Sequence, residues 1–479
     1  MKKSDITPFI KLFSSPNKKY LYSVNKNEII EISSQIYLFF ETKEQIELDE
    51  LGKKEWNELA AQGLLGGKHL EKIEHPMSGA LEYLLEGELN HLILQVTQNC
   101  NLACGYCPYA NSTNGKIQRK PDNKSMDFDL AKKCIDFFCN HSYRNREVTI
   151  SFYGGEPFMN FELIKSSIEY AKKIFIGKGL KFNLTTNATM MTEKVMDYIV
   201  ENKINIMFSI DGPKQIHDNN RKYINGTGSF DIAFNNFQLL RKKYGVDANT
   251  HLSINMVIDS KNDINQIIDF YKSDELIGFE QVEGDLIDYI QLENKETVTD
   301  EYIETINYQY FLGYLDNLGL VNDLEIPIFI KPYFYMMEKK LLQFDMPCNE
   351  VLSIDAPGGP CIPGQRKLFV SVDGIFYPCE KVNETSDVMK IGNIDKGFDI
   401  DSANQMLNIA KLTEEKCKKC WAYRYCEICA RTSEENGEYS LDKKSKYCER
   451  TYQTTIDLVR EYILRDECRS LYVREECKI

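Results

Sequence analysis

Between residues 91 and 284, apolar runs rich in β-branched and aromatic residues alternate with stretches of helical periodicity. The intervening segments, such as DFDLAKKCIDFFCN and SFDIAFNNFQLL, have the apolar spacing of amphipathic helices. Repeated strand and helix units predict an α/β fold over residues 89–290, with a parallel sheet forming a full or partial barrel. Its functional residues should follow the carboxyl ends of the strands. The apolar runs are HLILQVT, EVTISFY, LKFNLTT, INIMFSI, HLSINMVI and GFEQVEG.

Residues 1–88 are predicted to form a separate module. KKYLYSVNKNEIIEIS alternates apolar and polar residues around an Asn-Lys-Asn turn, which indicates a β-hairpin. Apolar residues then recur near helical spacing up to Gly66. A hairpin with short amphipathic helices suggests a winged-helix-like fold, although a domain that only packs would have the same pattern. The apolar positions of the second helix are Leu51, Trp56, Leu59, Ala60 and Leu64.

Two further segments complete the predicted organisation. Residues 291–347, rich in Tyr, Leu and Glu, indicate a helical bridge. Residues 348–479 are spaced by cysteines and short turns, as expected where metal clusters replace part of a hydrophobic core.

Charge and composition narrow the functional classes. The 479 residues carry a net charge of -14, which argues against partnership with nucleic acids or anionic membranes. The sequence has no apolar stretch long enough to span a bilayer, so we expect a cytoplasmic protein. In that reducing compartment, 15 cysteines clustered in short spacings favour metal binding over disulfides.

The run TQNCNLACGYCPYA directly follows the first predicted strand and places Cys100, Cys104 and Cys107 in a CxxxCxxC pattern. Three thiolates on one loop can ligate three irons of a 4Fe-4S cluster and leave the fourth iron open for chemistry. A zinc site would need a fourth ligand, and no His or Cys lies within several residues of the loop.

SFYGGEP ends the next predicted strand. Gly154 and Gly155 would let the backbone approach a ligand, and Glu156 offers a carboxylate to an ammonium group.

With these motifs, about 200 residues resemble the radical S-adenosylmethionine (SAM) superfamily. The resemblance implies a partial (β/α)6 TIM-like barrel whose CxxxCxxC loop holds a cluster that binds SAM. It also implies reductive cleavage of SAM to methionine and a 5′-deoxyadenosyl radical, which abstracts hydrogen from a substrate.

SIDGP and the following IHDNNR resemble the family segment that contacts SAM. The resemblance implies that Ser209 touches the nucleoside and Arg221 the carboxylate. It assigns the methionine portion to Tyr106 and the two glycines, and the amino group to Glu156. Without the family, Ser209 and Asp211 would cap a turn and Arg221 would be a solvated cation.

A second set of cysteines occupies the last third of the chain, with Gly374 at a fixed offset among them. It resembles the SPASM extension of peptide-modifying radical SAM enzymes, which usually carries two auxiliary 4Fe-4S clusters. The spacing departs in one place, since two residues rather than the usual three separate the last close pair. The set comprises Cys361, Cys379, Cys417, Cys420, Cys426, Cys429 and Cys448.

The interleaved SPASM pattern implies two ligand groups. Cys348 could complete the second group; otherwise an iron stays open and could bind a substrate cysteine. A pair of zinc ribbons would also suit CxxC repeats. The first implied group is Cys417, Cys420, Cys426 and Cys448, and the second is Cys361, Cys379 and Cys429.

Four other cysteines match neither motif and are interpreted as incidental thiols. Glu380 stands where sulfatase maturases have a proton-accepting Asp, and could equally be an exposed carboxylate in a turn. The unmatched cysteines are Cys134, Cys139, Cys468 and Cys477.

The N-terminal module resembles the leader-recognition element of thioether-forming maturases of ribosomally made peptides. It would bind the leader of a precursor peptide as an added strand. The implied activity is a peptide crosslink, expected as a Cys thioether, with a ferredoxin or flavodoxin as electron donor. The alternatives are carbon-carbon cyclophane formation, formylglycine formation as in sulfatase maturation, other SPASM-type chemistry, or a non-catalytic iron-sulfur or zinc protein.

Overall fold

The computed structural model describes residues 8–42, 46–67, 70–107, 123–286, 298–321, 324–346 and 348–476, so Cys477 lies outside the described residues. No helix within these ranges is long and apolar enough to cross a membrane. The strands are β1 Ile10–Ser14, β2 Lys19–Ser23, β3 Glu28–Ile32, β4 Lys72–Ile73, β5 His91–Thr97, β6 Glu147–Gly154, β7 Gly179–Thr186, β8 Asn205–Ser209, β9 Leu252–Ile258, β10 Val282–Leu286, β11 Ile354–Asp355, β12 Leu368–Val370, β13 Ile375–Tyr377, β14 Gly392–Asn393, β15 Gly397–Phe398, β16 Glu434–Glu435 and β17 Glu438–Tyr439. The α-helices are α1 Ser34–Glu41, α2 Glu50–Ala61, α3 Leu81–Gly87, α4 Phe128–Asn140, α5 Phe161–Ile174, α6 Glu193–Glu201, α7 Lys214–Asn220, α8 Phe230–Tyr244, α9 Ala248–His251, α10 Ile264–Tyr271, α11 Asp300–Asn317, α12 Lys331–Asp345, α13 Ile400–Leu407, α14 Glu414–Cys417 and α15 Leu441–Glu476.

A mostly parallel sheet organises the compact unit formed by residues 80–334 and 362–404. Its six predicted strands are β5 to β10, which lie side by side in chain order and pair in parallel. The predicted α/β fold with a parallel sheet is therefore confirmed. Within the described residues β10 is an edge strand, so the sheet is open at that side.

The helices between these strands begin at side-chain caps. Asp127 accepts a hydrogen bond from the Leu130 amide at 2.8 Å and starts α4, and Thr192 caps α6 in the same way. These caps satisfy amide groups that the first helical turn leaves without partners. The apolar faces of α4 and α6 are buried.

The same sheet continues beyond β5 into β12 to β15, which belong to the predicted C-terminal segment 348–479. β12 pairs in parallel with β5, with Leu368 beside Leu92, and β13 to β15 extend the sheet in antiparallel fashion. All three residues of β12 are fully buried. Residues 362–404 thus belong to the core unit, although the predicted boundary before residue 348 placed them in a separate segment.

The other compact unit comprises residues 1–79, 335–361 and 405–479. Its antiparallel sheet has the order β1-β2-β3, which confirms the predicted hairpin as β2 and β3 and adds β1 in front. Leu21 of β2, Ile36 of α1 and Trp56 of α2 share one buried cluster.

Residues from both ends of the chain build this second unit. Phe13 packs edge-on against Trp421 at 5.9 Å between ring centroids. Arg424 donates to the carbonyl oxygens of Val24 at 2.5 Å and Asn25 at 2.7 Å. The N-terminal sheet therefore packs within the same unit as the Cys417–Cys448 region, whereas the sequence pattern predicted a separate module for residues 1–88.

Candidate active site and cluster-binding residues

The three-cysteine loop lies at the carboxyl end of β5. Backbone hydrogen bonds hold it, from the Ala103 amide to the Lys222 carbonyl at 2.7 Å and from the Gly105 amide to the Asn220 carbonyl at 3.0 Å. These bonds attach the loop to the last residue of α7 and to the segment that follows it.

The three thiols of this loop are partly buried neighbours. Burial raises the pKa of Cys100 to about 12, and the adjacent Cys104 and Cys107 thiols raise it as well. Burial likewise raises the pKa of Cys104 to about 11, against the effect of the nearby Arg221. Thiols that influence one another in this way on a single loop fit three ligands of one iron-sulfur cluster.

Gly154 and Gly155 allow the end of β6 to pass directly against the backbone that leads into this loop. Gly154 has φ +145°, and a Cβ there would lie 2.0 Å from the Thr97 carbonyl oxygen. A Cβ on Gly155 would lie 2.1 Å from the Asn99 carbonyl oxygen. The close approach predicted for a ligand is thus made, in this structure, to the chain's own backbone.

Glu156 ties the end of β6 to the end of β7. Its buried carboxylate accepts hydrogen bonds from the Phe158 amide at 3.1 Å, the Thr186 hydroxyl at 2.8 Å and the Asn187 amide at 2.8 Å. Burial raises the pKa of Glu156 to about 7 despite these donors. The predicted interaction with an amino group stays a prediction.

Arg221 is buried, so its interpretation as a solvated cation is wrong. Its guanidinium donates to both carboxylate oxygens of Asp211, at 2.9 Å and 3.1 Å. Tyr106 donates to the same carboxylate, and its ring centroid lies 5.4 Å from the guanidinium. Asp211 also accepts from the Val257 amide at 3.0 Å. This network joins the cysteine loop to β8 and β9, so Asp211 has a structural role. Ser209 is the last residue of β8.

Asp211→Asn should destabilise the chain by about 3–5 kcal/mol, because it leaves the Arg221 charge buried without a carboxylate. Urea unfolding of the metal-free protein would measure the change. Asp231→Asn is the matched control, since Asp231 pairs with Lys214 on the surface and should contribute less than about 1 kcal/mol. Equal losses in the two variants would contradict the assignment.

A second group of thiols lines a pocket with an empty volume of about 340 Å³ in the unit that contains both termini. Lys416, Lys444 and Tyr452 are among its other lining residues. We call it the four-cysteine pocket. The thiols are those of Cys417, Cys420, Cys426 and Cys448, the set implied for one auxiliary cluster.

Cys417 is buried, and the three other cysteines of this pocket are partly buried. Burial raises the pKa of Cys420 to about 11 and that of Cys426 to about 12. Four cysteines around one small space suit the four thiolate ligands of a 4Fe-4S cluster. Among the described residues, no three His, Cys, Asp or Glu side chains are arranged to hold a single metal ion.

The members of the second implied ligand set are divided between the two compact units. Cys348 donates a hydrogen bond from its thiol to the Lys26 carbonyl at 3.0 Å, and Cys361 is exposed. Cys429 precedes a short 3-10 helix, and Cys379 follows β13 in the core unit. The grouping of Cys361, Cys379 and Cys429, with or without Cys348, stays a prediction.

Glu380 is not the exposed turn carboxylate that one interpretation allowed. Its side chain is 13% exposed, and it accepts a hydrogen bond from Lys367 at 2.7 Å. Burial opposes its ionisation, but the Lys367 ammonium outweighs burial and lowers the pKa of Glu380. Its Oε2 atom is buried and has no hydrogen-bond partner among the described residues.

Comparison with known proteins identifies the class. The sequence model of the radical SAM superfamily matches residues 94–271, from β5 to α10. An uncharacterized protein of Methanocaldococcus jannaschii is 34% identical over 243 residues, which are 51% of this chain and 74% of that protein. The chain belongs to the radical SAM superfamily.

Two further relatives are similar over more of this radical SAM enzyme. The cysteine-type anaerobic sulfatase-maturating enzyme of Clostridium perfringens is 24% identical over 373 residues, 75% of this chain and 94% of that one. A solved structure described as "Native anSMEcpe with bound AdoMet and Cp18Cys peptide" has a TM-score of 0.55 at 23% identity. It covers 81% of this chain and 99% of its own, and shares the fold.

Sequence reasoning missed two polar residues of this radical SAM site. Asn187 donates to the Cys100 thiol at 3.9 Å and to the Asn101 side chain at 2.9 Å, and Thr186 contacts Glu156. The polar run TTNAT, which begins at the end of LKFNLTT, could have indicated both residues. Polar residues at the carboxyl end of a parallel strand lie toward the functional site.

Proposed function

We propose that this radical SAM enzyme is a peptide maturase that installs a crosslink, a Cys thioether, in a ribosomally made precursor peptide. The observation that carries the proposal is the four-cysteine pocket in a chain that also has the three-cysteine loop. A radical SAM enzyme needs only the loop to cleave SAM. A second, separate thiol site supports a further electron carrier, which thioether formation requires because the product is oxidised relative to the peptide.

The proposal assigns three 4Fe-4S clusters to the chain. The three-cysteine loop would hold the first and the four-cysteine pocket the second. The third would be held by Cys361, Cys379 and Cys429, either with Cys348 as the fourth ligand or with one iron left open. When bound, the first cluster and SAM supply the 5′-deoxyadenosyl radical that removes hydrogen from the peptide. A ferredoxin or flavodoxin would supply the low-potential electron.

The chain's own residues would prepare the site for SAM. The Asp211–Arg221 pair and Tyr106 hold the loop against β8 and β9. Ser209, Gly154, Gly155 and Glu156 border the same strand ends and would contact SAM.

The N-terminal sheet supports recognition of a leader peptide. β3 pairs with β2 on one side, and within the described residues no strand pairs with its other side. An edge strand of this kind can accept an extended peptide through backbone hydrogen bonds, with alternate side chains giving specificity. A winged-helix-like leader element is therefore part of the proposal.

Formylglycine formation on a sulfatase is the second candidate. It is favoured by the similarity to the Clostridium perfringens sulfatase maturase, which extends over 94% of that protein. Both candidates start with hydrogen abstraction from a peptide, and they differ in whether sulfur is kept as a bridge.

The test is anaerobic reconstitution with iron and sulfide, followed by reduction with SAM and a cysteine-containing precursor peptide encoded beside the enzyme. Mass spectrometry should detect 5′-deoxyadenosine and a peptide that is two hydrogens lighter, with its cysteine resistant to alkylation. A sulfatase peptide converted to formylglycine would favour the second candidate. A well-loaded enzyme that forms no deoxyadenosine would refute both.

We also propose that Glu380 accepts a proton from the substrate. Glu380→Gln should then leave deoxyadenosine formation intact but lower crosslinked product by about 10²-fold or more. Its lowered pKa keeps the carboxylate ionised at neutral pH. Product yield per deoxyadenosine would measure the effect. Asp373→Asn, which alters an exposed pair with Lys124 in the same sheet extension, is the control. An unchanged yield in Glu380→Gln would exclude the role.

A further inference from the structure

Lys444 is a buried cation in an unusual setting. The residue is 2% exposed and projects from α15 into the four-cysteine pocket. Its ammonium donates to the Thr413 hydroxyl and lies 3.8 Å from the Cys417 sulfur. Among the described residues, no carboxylate forms an ion pair with it.

Burial of an ammonium without a counter-charge is costly, because the charge loses its hydration and gains no Coulomb attraction in return. The Lys444 ammonium therefore destabilises the folded chain unless an anion occupies the pocket. A 4Fe-4S cluster with four thiolate ligands is such an anion, and its negative charge grows by one on reduction.

The fold also positions two of the pocket's cysteines, Cys417 and Cys448, relative to the Lys444 ammonium. Lys444 and Cys448 are one helical turn apart on α15 and so share a face. The Thr413 hydroxyl oxygen, which accepts from the ammonium, lies 3.3 Å from the Cys417 sulfur. The ammonium thus contacts one ligand both directly and through a hydroxyl, and shares a helix face with a second.

We infer that Lys444 is the counter-cation of the auxiliary cluster in the four-cysteine pocket and raises its reduction potential. The inference rests on the proposed function, which places that cluster in the pocket. A fixed positive charge and a hydrogen bond to a ligand sulfur both stabilise the reduced cluster more than the oxidised one. Lys444 would therefore favour transfer of one electron to this cluster from the substrate radical, with no proton required at the cluster.

The experiment compares three variants with the parent chain. Lys444→Met removes the charge but keeps the apolar stem, and Lys444→Arg keeps the charge. Lys446→Met is the matched control, because Lys446 lies two residues further along α15 but is exposed to solvent and is not among the residues that line the pocket. Each is measured as the metal-free chain by thermal unfolding and after reconstitution by iron analysis and a dithionite potential titration followed by electron paramagnetic resonance. The SAM-binding cluster is recognised by the change of its signal when SAM is added.

In the metal-free chain, Lys444→Met should raise the melting temperature, because it removes the uncompensated charge, while the two other variants should match the parent. A lower melting temperature in Lys444→Met would assign Lys444 an ordinary packing role and overturn the inference.

After reconstitution, Lys444→Met should shift one midpoint potential to a more negative value or lose about four irons that Lys444→Arg retains. Full iron with an unchanged midpoint would overturn the inference, as would equal iron loss in both Lys444 variants. A failure of the proposed function can be told apart from a failure of this inference. If the pocket holds no cluster, alanine at Cys417 and Cys420 would remove no iron from the parent chain.

Discussion

Alanine at Cys100, Cys104 and Cys107 together should abolish 5′-deoxyadenosine formation and lower bound iron from about twelve to about eight per chain. The reason is that these thiols are the proposed ligands of the SAM-binding cluster, whereas the four-cysteine pocket lies in the other compact unit. Iron analysis and mass spectrometry after anaerobic reconstitution would measure both changes.

The matched control replaces Cys139 and Cys468, two partly buried thiols outside both motifs, with alanine. This variant should keep its iron and its activity. Deoxyadenosine from the triple variant, or loss of all iron in it, would contradict the assignment of one independent cluster to the loop.

Gly155→Ala should lower deoxyadenosine formation by roughly 10²-fold, because displacement of a reacting group by about 1 Å has an effect of that size. The new methyl group would overlap the carbonyl oxygen of Asn99, which would lie 2.1 Å from it and belongs to the residue directly before Cys100. Since backbone cannot rotate away as a side chain can, the cysteine loop must shift. The rate of SAM cleavage at saturating reductant is the measurement.

Gly79→Ala provides the comparison, since a Cβ there meets nothing within 4 Å. It should retain the parent rate. A Gly155→Ala enzyme of full activity would show that the loop tolerates movement, and that the close approach of β6 does not position the cluster ligands.

The parallel sheet could be predicted because most of its six strands are short segments rich in apolar, β-branched and aromatic residues between helical segments. β12 to β15 could not, since they contain only two or three residues each and show no period. The Asp211–Arg221 pair escaped prediction for a different reason. The two residues lie on loops, and only the tertiary fold decides whether such charges meet or face solvent.

The structure brings the cysteines of one implied ligand set to a single pocket, while the grouping of the other set stays a prediction. Cys417, Cys420 and Cys426 are close in sequence, and the start of α15 brings Cys448 to them, so local structure nearly suffices. Cys361 and Cys379 belong to different compact units, and no short-range pattern determines how such positions are placed.

The pairing of β12 with β5 also limits how this chain can be dissected. Cutting the chain at residue 347 would remove β12, one of the two neighbours of β5. β5, which has six of its seven residues buried in the intact fold, would then be a new sheet edge. Long apolar edges of this kind pair with other molecules and aggregate. A shortened catalytic core would therefore need to keep residues 362–404 to remain in solution.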